Sequence, residues 1–456
     1  MYKLLLIWRY FLTKRMVLVA SVAVALLVML VLVVLSVMSG LQEQTRQRNH
    51  NWAGDVVVLR DSLVGFGYYE DFIAELTKQD EIAGATPILQ TFGLLGPAND
   101  GVRIIGMRLA EFCEVTGFGA TLHDPLDPKP TFTVPEPNFR TTQKLTDEQR
   151  KRGCIAGVLL LAQRYTRSWS KSKLNDMRKQ GLASGDWSLT VFGLTRQGIL
   201  AGSGLGDQQT FRYVNDSDSG LVDVDMYAVY VDFDLLQKLC SMDGVDDGLK
   251  RTNEIRVRLN EGVELKQGRQ IVADLWRQFV RAKKGKLGAN LLEDVKVQTW
   301  KEYRRNQIAP AEREKTLMIV VFSMIGIVAI FIIFALFYMV VTEKIKDLGI
   351  LKSVGGGSWG VGQIFLGYGA LVGMVGAIVG SILGCLIVWN SNEIEQTLGL
   401  EIFDPDMYTI DRIPDAVDMS QAAIIGLVGI LASVAGAALP AWRAGKLEVV
   451  EALRVE

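Results

Sequence analysis

The 456-residue chain is 49% hydrophobic and 22% charged, with 49 Lys and Arg against 50 Asp and Glu. A net charge near zero leaves no basic surplus for a nucleic-acid partner, and two histidines with four cysteines, none in a C-x-x-C pair, argue against a zinc site or any other metal centre. The apolar residues gather in four runs, which is the pattern of a membrane protein.

In chain order, residues 1–15 open with Tyr2–Thr13, where Leu4, Leu5, Leu6, Ile7, Trp8, Tyr10 and Phe11 alternate with Lys3 and Arg9. This reads as an interfacial helix on the inner leaflet, held by Trp and Tyr at headgroup level. Met16–Met38 carries no charge and is the first span, residues 16–38. It exceeds the apolar core of a cleavable signal peptide, the competing reading.

Residues 39–316 form a domain outside the membrane, long enough for two subdomains. Strands are expected at Val56–Leu59, Val102–Ile105, Ser188–Phe192, Tyr227–Val231, in "NEIRVRL" at 253–259 and in "DVKVQTW" at 294–300. Helices are expected at Tyr69–Lys78 and Phe233–Leu239. Between the last two strands, Leu265, Ile271, Leu275 and Phe279 recur at helical spacing and predict a β-α-β unit. The fold class is α+β. Asp124–Pro137 and Gly181–Gly206 read as loops. "GLQEQTRQR" after the first span, and Trp300–Lys315 before the second, read as helical stalks. Cys113, Cys154 and Cys240 lie in this domain: one disulfide of unassigned pairing and three buried thiols are both open. Asp216, Asp218, Asp223 and Asp225 lack EF-hand spacing and read as a solvated turn rather than a calcium loop.

Leu317–Val341 is the second span and residues 342–359 a connecting loop. The third span lies at 360–389, with Ile364–Trp389 as its apolar run. An acidic loop follows at 390–420. The fourth span, 421–439, is ended by Pro440, and residues 440–456 form a tail. Gly369, Gly373 and Ala377, with Gly376, Gly380 and Gly384, form small-residue stripes on the third span, and Gly429, Ser433 and Ala437 repeat the spacing on the fourth. Such stripes let helices approach closely in lipid, either within this chain or against a second subunit. Lys and Arg flank the first span, fill the 342–359 loop and recur in the tail, whereas the 390–420 loop has Arg412 against eight acids. By that asymmetry both termini are cytoplasmic.

No G-x-x-x-x-G-K-[ST] occurs, so this chain has no Walker A loop for ATP. "GGSWG" at 356–360 matches a serine-hydrolase elbow in spelling only. Ser358 lies between a cytoplasmic loop and a span, and His50 and His123 are on the other side of the membrane.

"VLSVMSGLQEQ" at 34–44, "TEKIKDLGILKSVGG" at 342–356 and "PAWRAGKLEVVEALRVE" at 440–456 resemble the permeases of the MacB/FtsX superfamily of ABC transporters, above all the Lol-type lipoprotein-releasing permeases. "TWKEYRRN" and "EREKTLMIVVFSMIGIVAIF" are similar to the approach to the second span in that family. Three features depart from it: few glycines in the first span, Val449 where proline is usual, and an added Pro-rich segment. The resemblance implies a non-catalytic permease in the bacterial inner membrane. ATP and Mg would be bound by a separate ABC ATPase, with no cofactor in this chain. It also implies a second permease subunit, a lipoprotein client, surrounding membrane lipid and a periplasmic carrier. The same family includes FtsX-like transmitters that activate a wall hydrolase and MacB-like exporters, the alternatives for this chain.

The family's coupling helix falls on the 342–359 loop. Ile345, Leu348 and Leu351 or Lys352 make an apolar stripe, rimmed by Glu343, Lys344, Lys346, Asp347 and Lys352 beside Gly349. A plain interfacial helix with snorkelling lysines is the alternative. An apolar cavity for acyl chains is expected around Leu35, Met38 and Leu41 of the first span and Phe322, Met324 and Phe331 of the second.

Overall fold

The computed structural model describes residues 15–96, 99–123, 153–166, 171–179, 186–201, 206–343, 353, 357–398 and 417–446. The 1–15 helix up to Lys14, the Pro-rich segment 124–137, all of 344–352 and the tail beyond Lys446 lie outside the described residues. In chain order the elements are α1 (Arg15–Ala53), β1 (Val56–Arg60), β2 (Phe66–Gly67), α2 (Tyr69–Leu76), β3 (Ile82–Leu95), β4 (Asp100–Met107), α3 (Leu109–Val115), β5 (Gly153–Gly157), α4 (Val158–Thr166), α5 (Lys171–Lys179), β6 (Asp186–Val191), β7 (Asp207–Ser217), α6 (Val222–Asp225), β8 (Ala228–Asp232), α7 (Phe233–Leu239), β9 (Arg251–Thr252), β10 (Glu254–Leu259), α8 (Leu265–Ala282), β11 (Val295–Thr299), α9 (Trp300–Tyr303), α10 (Arg305–Glu343), α11 (Ser358–Trp389), α12 (Ser391–Leu398) and α13 (Met419–Lys446).

Two compact units result: one holds the four long apolar helices, and the other is Gln44–Ile308. The α+β domain inserted after the first long helix thus forms one of the two units. Its main sheet, among the described residues, has nine strands in the order β11-β1-β10-β3-β4-β8-β5-β7-β6. β3 also pairs with β6, so β3, β4, β8, β5, β7 and β6 close into a ring. At the other end β1 is held between β10 and β11, antiparallel to both, with Val56 opposite Val257 and Thr299.

The β-α-β unit forms, with one change: β1 separates its two strands. α8 covers it through Gly268, Val272, Trp276 and Phe279. The buried stripe is therefore turned by one residue from the expected one, and Ile271 and Leu275 are only half-buried. The larger Trp276 decides the rotation, packing edge-on against Phe66 and Phe72 at 5.4 and 4.7 Å. The strand expected at Ser188–Phe192 forms as β6, Asp186–Val191, with Trp187, Leu189 and Val191 buried in strict alternation, so the segment 181–206 is not all loop.

The membrane unit contains four helices long and apolar enough to cross a bilayer. Ala20, Val24 and Val28 of α1, Ile333 and Phe337 of α10, Ile364, Tyr368 and Val372 of α11 and Ala437 of α13 share one core. The small-residue stripes pack within the chain. A Cβ on Gly380 would sit 2.4 Å from the Ala25 carbonyl oxygen, and one on Gly373 would sit 2.8 Å from Ser433 Cβ. Ser433 Oγ donates to the Gly369 carbonyl at 2.8 Å. Pro440 does not end the fourth span, because α13 continues to Lys446. Proline removes the helical N–H that would reach the Gly436 carbonyl, yet the helix runs on past it.

The second stalk is likewise not one helix from Trp300. Thr299 and Glu302 form a reciprocal capping box that starts α9, and Arg304 then leaves the helical region at φ −95°, ψ 16° before α10 begins. The first stalk is unbroken within α1.

Candidate functional site

The last turns of α1, the strand β10 and the α9–α10 junction converge on a buried polar cluster inside the outer domain. Glu254 and Arg256 alternate with the apolar positions of β10, which in an ordinary half-exposed strand would put them in water. Here both faces are covered, and each side chain is at least nine-tenths buried. Arg256 Nη2 donates to Glu254 Oε2 at 2.7 Å and to the Tyr303 hydroxyl at 3.1 Å, while Nη1 donates to the Ala53 carbonyl at 3.3 Å. Tyr303 in turn donates to Glu254 Oε1 at 3.1 Å. Burial opposes the Arg256 charge, but the Glu254 carboxylate and the Tyr303 oxygen outweigh it and raise its pKa. Burial pushes the Tyr303 hydroxyl up as well, so it serves as a neutral donor.

Arg304 extends the cluster. Its Nε donates to Asn49 Oδ1 at 2.6 Å, and its two Nη atoms reach the Asp223 carboxylate at 2.9 and 2.8 Å, a bidentate pair. The Trp52 ring carries both guanidiniums, Arg256 at 4.9 Å and Arg304 at 5.0 Å. Arg48 Nη1 donates to the Gly220 carbonyl at 3.3 Å. His50 lies 2.6 Å from Asp55 and stacks on Trp300 at 5.1 Å. Burial raises the Asp55 pKa, but the His50 contact and the Leu259 amide outweigh it, and the net direction is downward. Residues 48–55 and 300–304, the two chain passages, therefore meet in one charge-balanced network.

The segment Ser217–Asp225 closes this network, which corrects the expectation of a solvated acidic turn. Asp216 and Asp225 are buried, Asp223 holds Arg304, and Asp218 takes Lys171 Nζ at 2.6 Å. Ser219 donates through its amide and its hydroxyl to Asp225 Oδ1, at 3.1 and 2.7 Å. No group able to hold a metal ion occurs among the described residues. Cys113, Cys154, Cys240 and Cys385 are free thiols, and Cys154 and Cys240 are buried in apolar surroundings.

Of the coupling residues, Glu343 ends α10 and is exposed, while Lys344, Ile345, Lys346, Asp347, Leu348, Gly349, Leu351 and Lys352 lie outside the described residues. Leu35, Met38 and Leu41 are half-buried on α1, as is Phe322 on α10. Met324 and Phe331 are 64% and 67% exposed. Between α1 and α10, Gln42 Nε2 donates to the Ala311 carbonyl at 2.6 Å. A separate apolar cavity of about 650 Å³ lies between α11 and α13, against Ile382, Leu386, Trp389, Met419 and Leu427. Among the anchor residues, Trp52, Arg256 and Arg304 carry no signal of this role in the sequence, and Asp223 reads there as part of a solvated turn. One legible signal was the T-x-x-E spelling of Thr299–Glu302, which marks where the second passage starts.

Four helices long and apolar enough to cross a membrane, with one large α+β domain inserted between the first two, give the architecture of a membrane protein. Residues 319–449 match the FtsX-like permease C-terminal family. The lipoprotein-releasing system transmembrane protein LolC of Neisseria meningitidis is 34% identical over 166 residues, 36% of this chain and 40% of that protein. LolC of Xylella fastidiosa is 28% identical over 241 residues, 52% of this chain and 53% of that protein. LolE of Haemophilus influenzae is 27% identical over 143 residues, 30% of this chain and 34% of that protein. The chain thus spans about half or less of the length of these relatives. The periplasmic region of MacB from Actinobacillus actinomycetemcomitans aligns over 58% of this chain and 97% of that one at 10% identity, with a TM-score of 0.29, a likeness on which nothing rests. Residues 319–449 are thus similar to FtsX-like permeases, and Lol-type permeases are among the chain's sequence relatives.

Proposed function

We propose that this chain is the permease subunit of an ABC transporter in the bacterial inner membrane, with both termini cytoplasmic. A separate ATPase drives it to release lipoproteins, together with a second permease subunit and a periplasmic carrier. The observation that carries the reading is the anchor: the end of α1 and the start of α10 are locked into one buried network in the outer domain. A displacement of either helix must strain that network or move the sheet bonded to it. Burial stabilises an acyl chain by about 0.8 kcal/mol per CH₂, so a multiply acylated client does not leave the bilayer unaided. Force delivered from the cytoplasmic side supplies what is missing. The segment Glu343–Lys352 receives it from the ATPase, and Leu35, Met38, Leu41, Phe322, Met324 and Phe331 shelter the acyl chains.

The test is reconstitution in proteoliposomes with the partner ATPase, a fluorescent lipoprotein and a soluble acceptor. ATP should transfer the lipoprotein. Arg304→Ala should leave ATP hydrolysis standing and slow transfer at least about tenfold, a loss of roughly 1.4 kcal/mol in coupling. Hydrolysis without transfer by the unaltered protein, joined to activation of a cell-wall hydrolase, would replace release by signal transmission.

A further inference from the structure

A second cluster of arginines in the outer domain has no part in the anchor. Arg60, Ser62 and Val64 after β1, Arg196 and Gln197 in the β6–β7 connection, and Leu287, Gly288, Asn290 and Leu291 after α8 line a cavity of about 630 Å³. Its lining holds two guanidiniums, three neutral polar side chains and no carboxylate. Arg251, fully buried, stitches two of the walls by donating to the Val64 carbonyl at 2.7 Å and the Leu194 carbonyl at 3.2 Å. Tyr68 adds a third tie, from its hydroxyl to the Leu287 carbonyl at 2.9 Å.

The charges here are incompletely matched. Arg60 donates to the Gly65 carbonyl at 3.1 Å and reaches Asp294 at 3.3 Å, but that carboxylate is 74% exposed and its pull is screened. Arg251 reaches Asp247 at 3.2 Å. Arg196 bears on Arg251 as a like charge, working with burial against it. Arg60 Nε, Arg196 Nη1 and Arg251 Nε are buried without a hydrogen-bond partner among the described residues. Asp61, Glu293, Asp294 and Lys296 share a neighbouring cavity with Arg60 and Ser62, and Arg196 is not among its lining residues. Buried donors are normally satisfied, and a planar fork beside hydroxyl and amide groups is the arrangement that takes a tetrahedral oxyanion.

We propose that the cavity between Arg60 and Arg196 is a binding site for a phosphate-class oxyanion. Arg196 supplies the main charge, Arg60 the second, and Ser62, Gln197 and Asn290 neutral donors. The ligand is either a free phosphate ester or the phosphate of a lipid headgroup.

The full chain, purified in neutral detergent, is titrated with inorganic phosphate at constant ionic strength while its melting midpoint is followed by tryptophan fluorescence. Phosphate at about 20 mM should raise the midpoint by roughly 3–6 °C and saturate, as linkage requires for a site of about millimolar affinity. Arg196→Gln should abolish the rise, and Arg196→Lys, which keeps the charge without the fork, should weaken saturation at least tenfold. The same titration in nanodiscs assigns the source. A shift seen in neutral detergent but lost in nanodiscs of phosphatidylcholine or of phosphatidylglycerol means that the headgroup phosphate fills the site. A shift kept in both means a free anion. No saturable rise in the unaltered protein, or an equal rise in Arg196→Gln, overturns the proposal.

Discussion

Arg256 and Glu254 set the energetics of the anchor at the scale of single residues. Each is buried, and Arg256 Nη2 donates to Glu254 Oε2 at 2.7 Å. Removing one member of such a pair leaves a desolvated charge behind, which costs about 3–5 kcal/mol, whereas replacing both with apolar residues of similar volume costs far less. Arg256→Ala should therefore lower stability by about that amount. The double change Arg256→Met with Glu254→Met should recover most of it, read by urea unfolding of the purified chain. A single variant no worse than the double one would show that the pair is not coupled.

Asp225 gives a pH signature at the same scale. Burial, partly offset by Ser219, raises its pKa from 3.8 to about 7, and its Oδ2 has no partner among the described residues. The folded state therefore holds a proton that the unfolded state gives up. Stability is fullest below about pH 3.8 and falls as pH rises towards 7, by on the order of 4 kcal/mol at most. Asp55 acts in the opposite sense. Its lowered pKa adds stability above its unfolded value, and that share is lost only as pH falls through the lower folded one. Asp225→Asn should flatten the profile between pH 4 and 7 and raise stability at neutral pH. A melting profile that keeps its slope in this variant would assign the titration elsewhere.

Single elements show what was legible in the sequence. The four spans, β1, β4, β8, β10, β11 and α7 stand where hydrophobic periodicity puts them, because one local pattern decides each. β3, β5 and β7 escaped, since Gly84, Pro87 and Gly93 interrupt β3 and only its neighbours make it a strand. The anchor escaped for a related reason: nothing local in "NEIRVRL" tells that a second layer covers the polar face of the strand. At Pro440 a strong local signal was overridden by the packing of α13. The glycine stripe of α11 yields a prediction at this scale. Gly380→Val places branched carbons where the Ala25 carbonyl oxygen already is. By the usual cost of overpacking, it should destabilise the bundle by about 1–3 kcal/mol or more. Gly326→Val, facing open space on α10, should cost little. Thermal aggregation of the two variants in detergent compares them directly, and equal midpoints would mean that α1 and α11 do not pack closely.

For the whole molecule, the coupling proposal makes a sharper demand than folding. Asp347→Lys should leave insertion and stability intact while abolishing ATP-driven transfer in the reconstituted system. Normal transfer by that variant would move the ATPase contact away from residues 342–352. The placement of the loops can be checked separately by cysteine labelling. Position 404 should react with an impermeant reagent from outside, and reaction from the cytoplasm alone would invert the topology.

The place of β1 in the sheet also constrains how the chain is made. Val56 follows the first span almost at once, yet its two partners, Val257 and Thr299, are 201 and 243 residues further along. At synthesis rates of about 5–20 residues per second, "VVVLR" leaves the membrane roughly 10–50 seconds before either neighbour exists. Throughout that interval a short, β-branched strand stands with both edges bare, the condition under which nascent chains pair with the wrong partner. Biogenesis of this domain is thus a waiting problem. Its yield should depend on translation speed and on holdase chaperones more steeply than its finished stability would suggest.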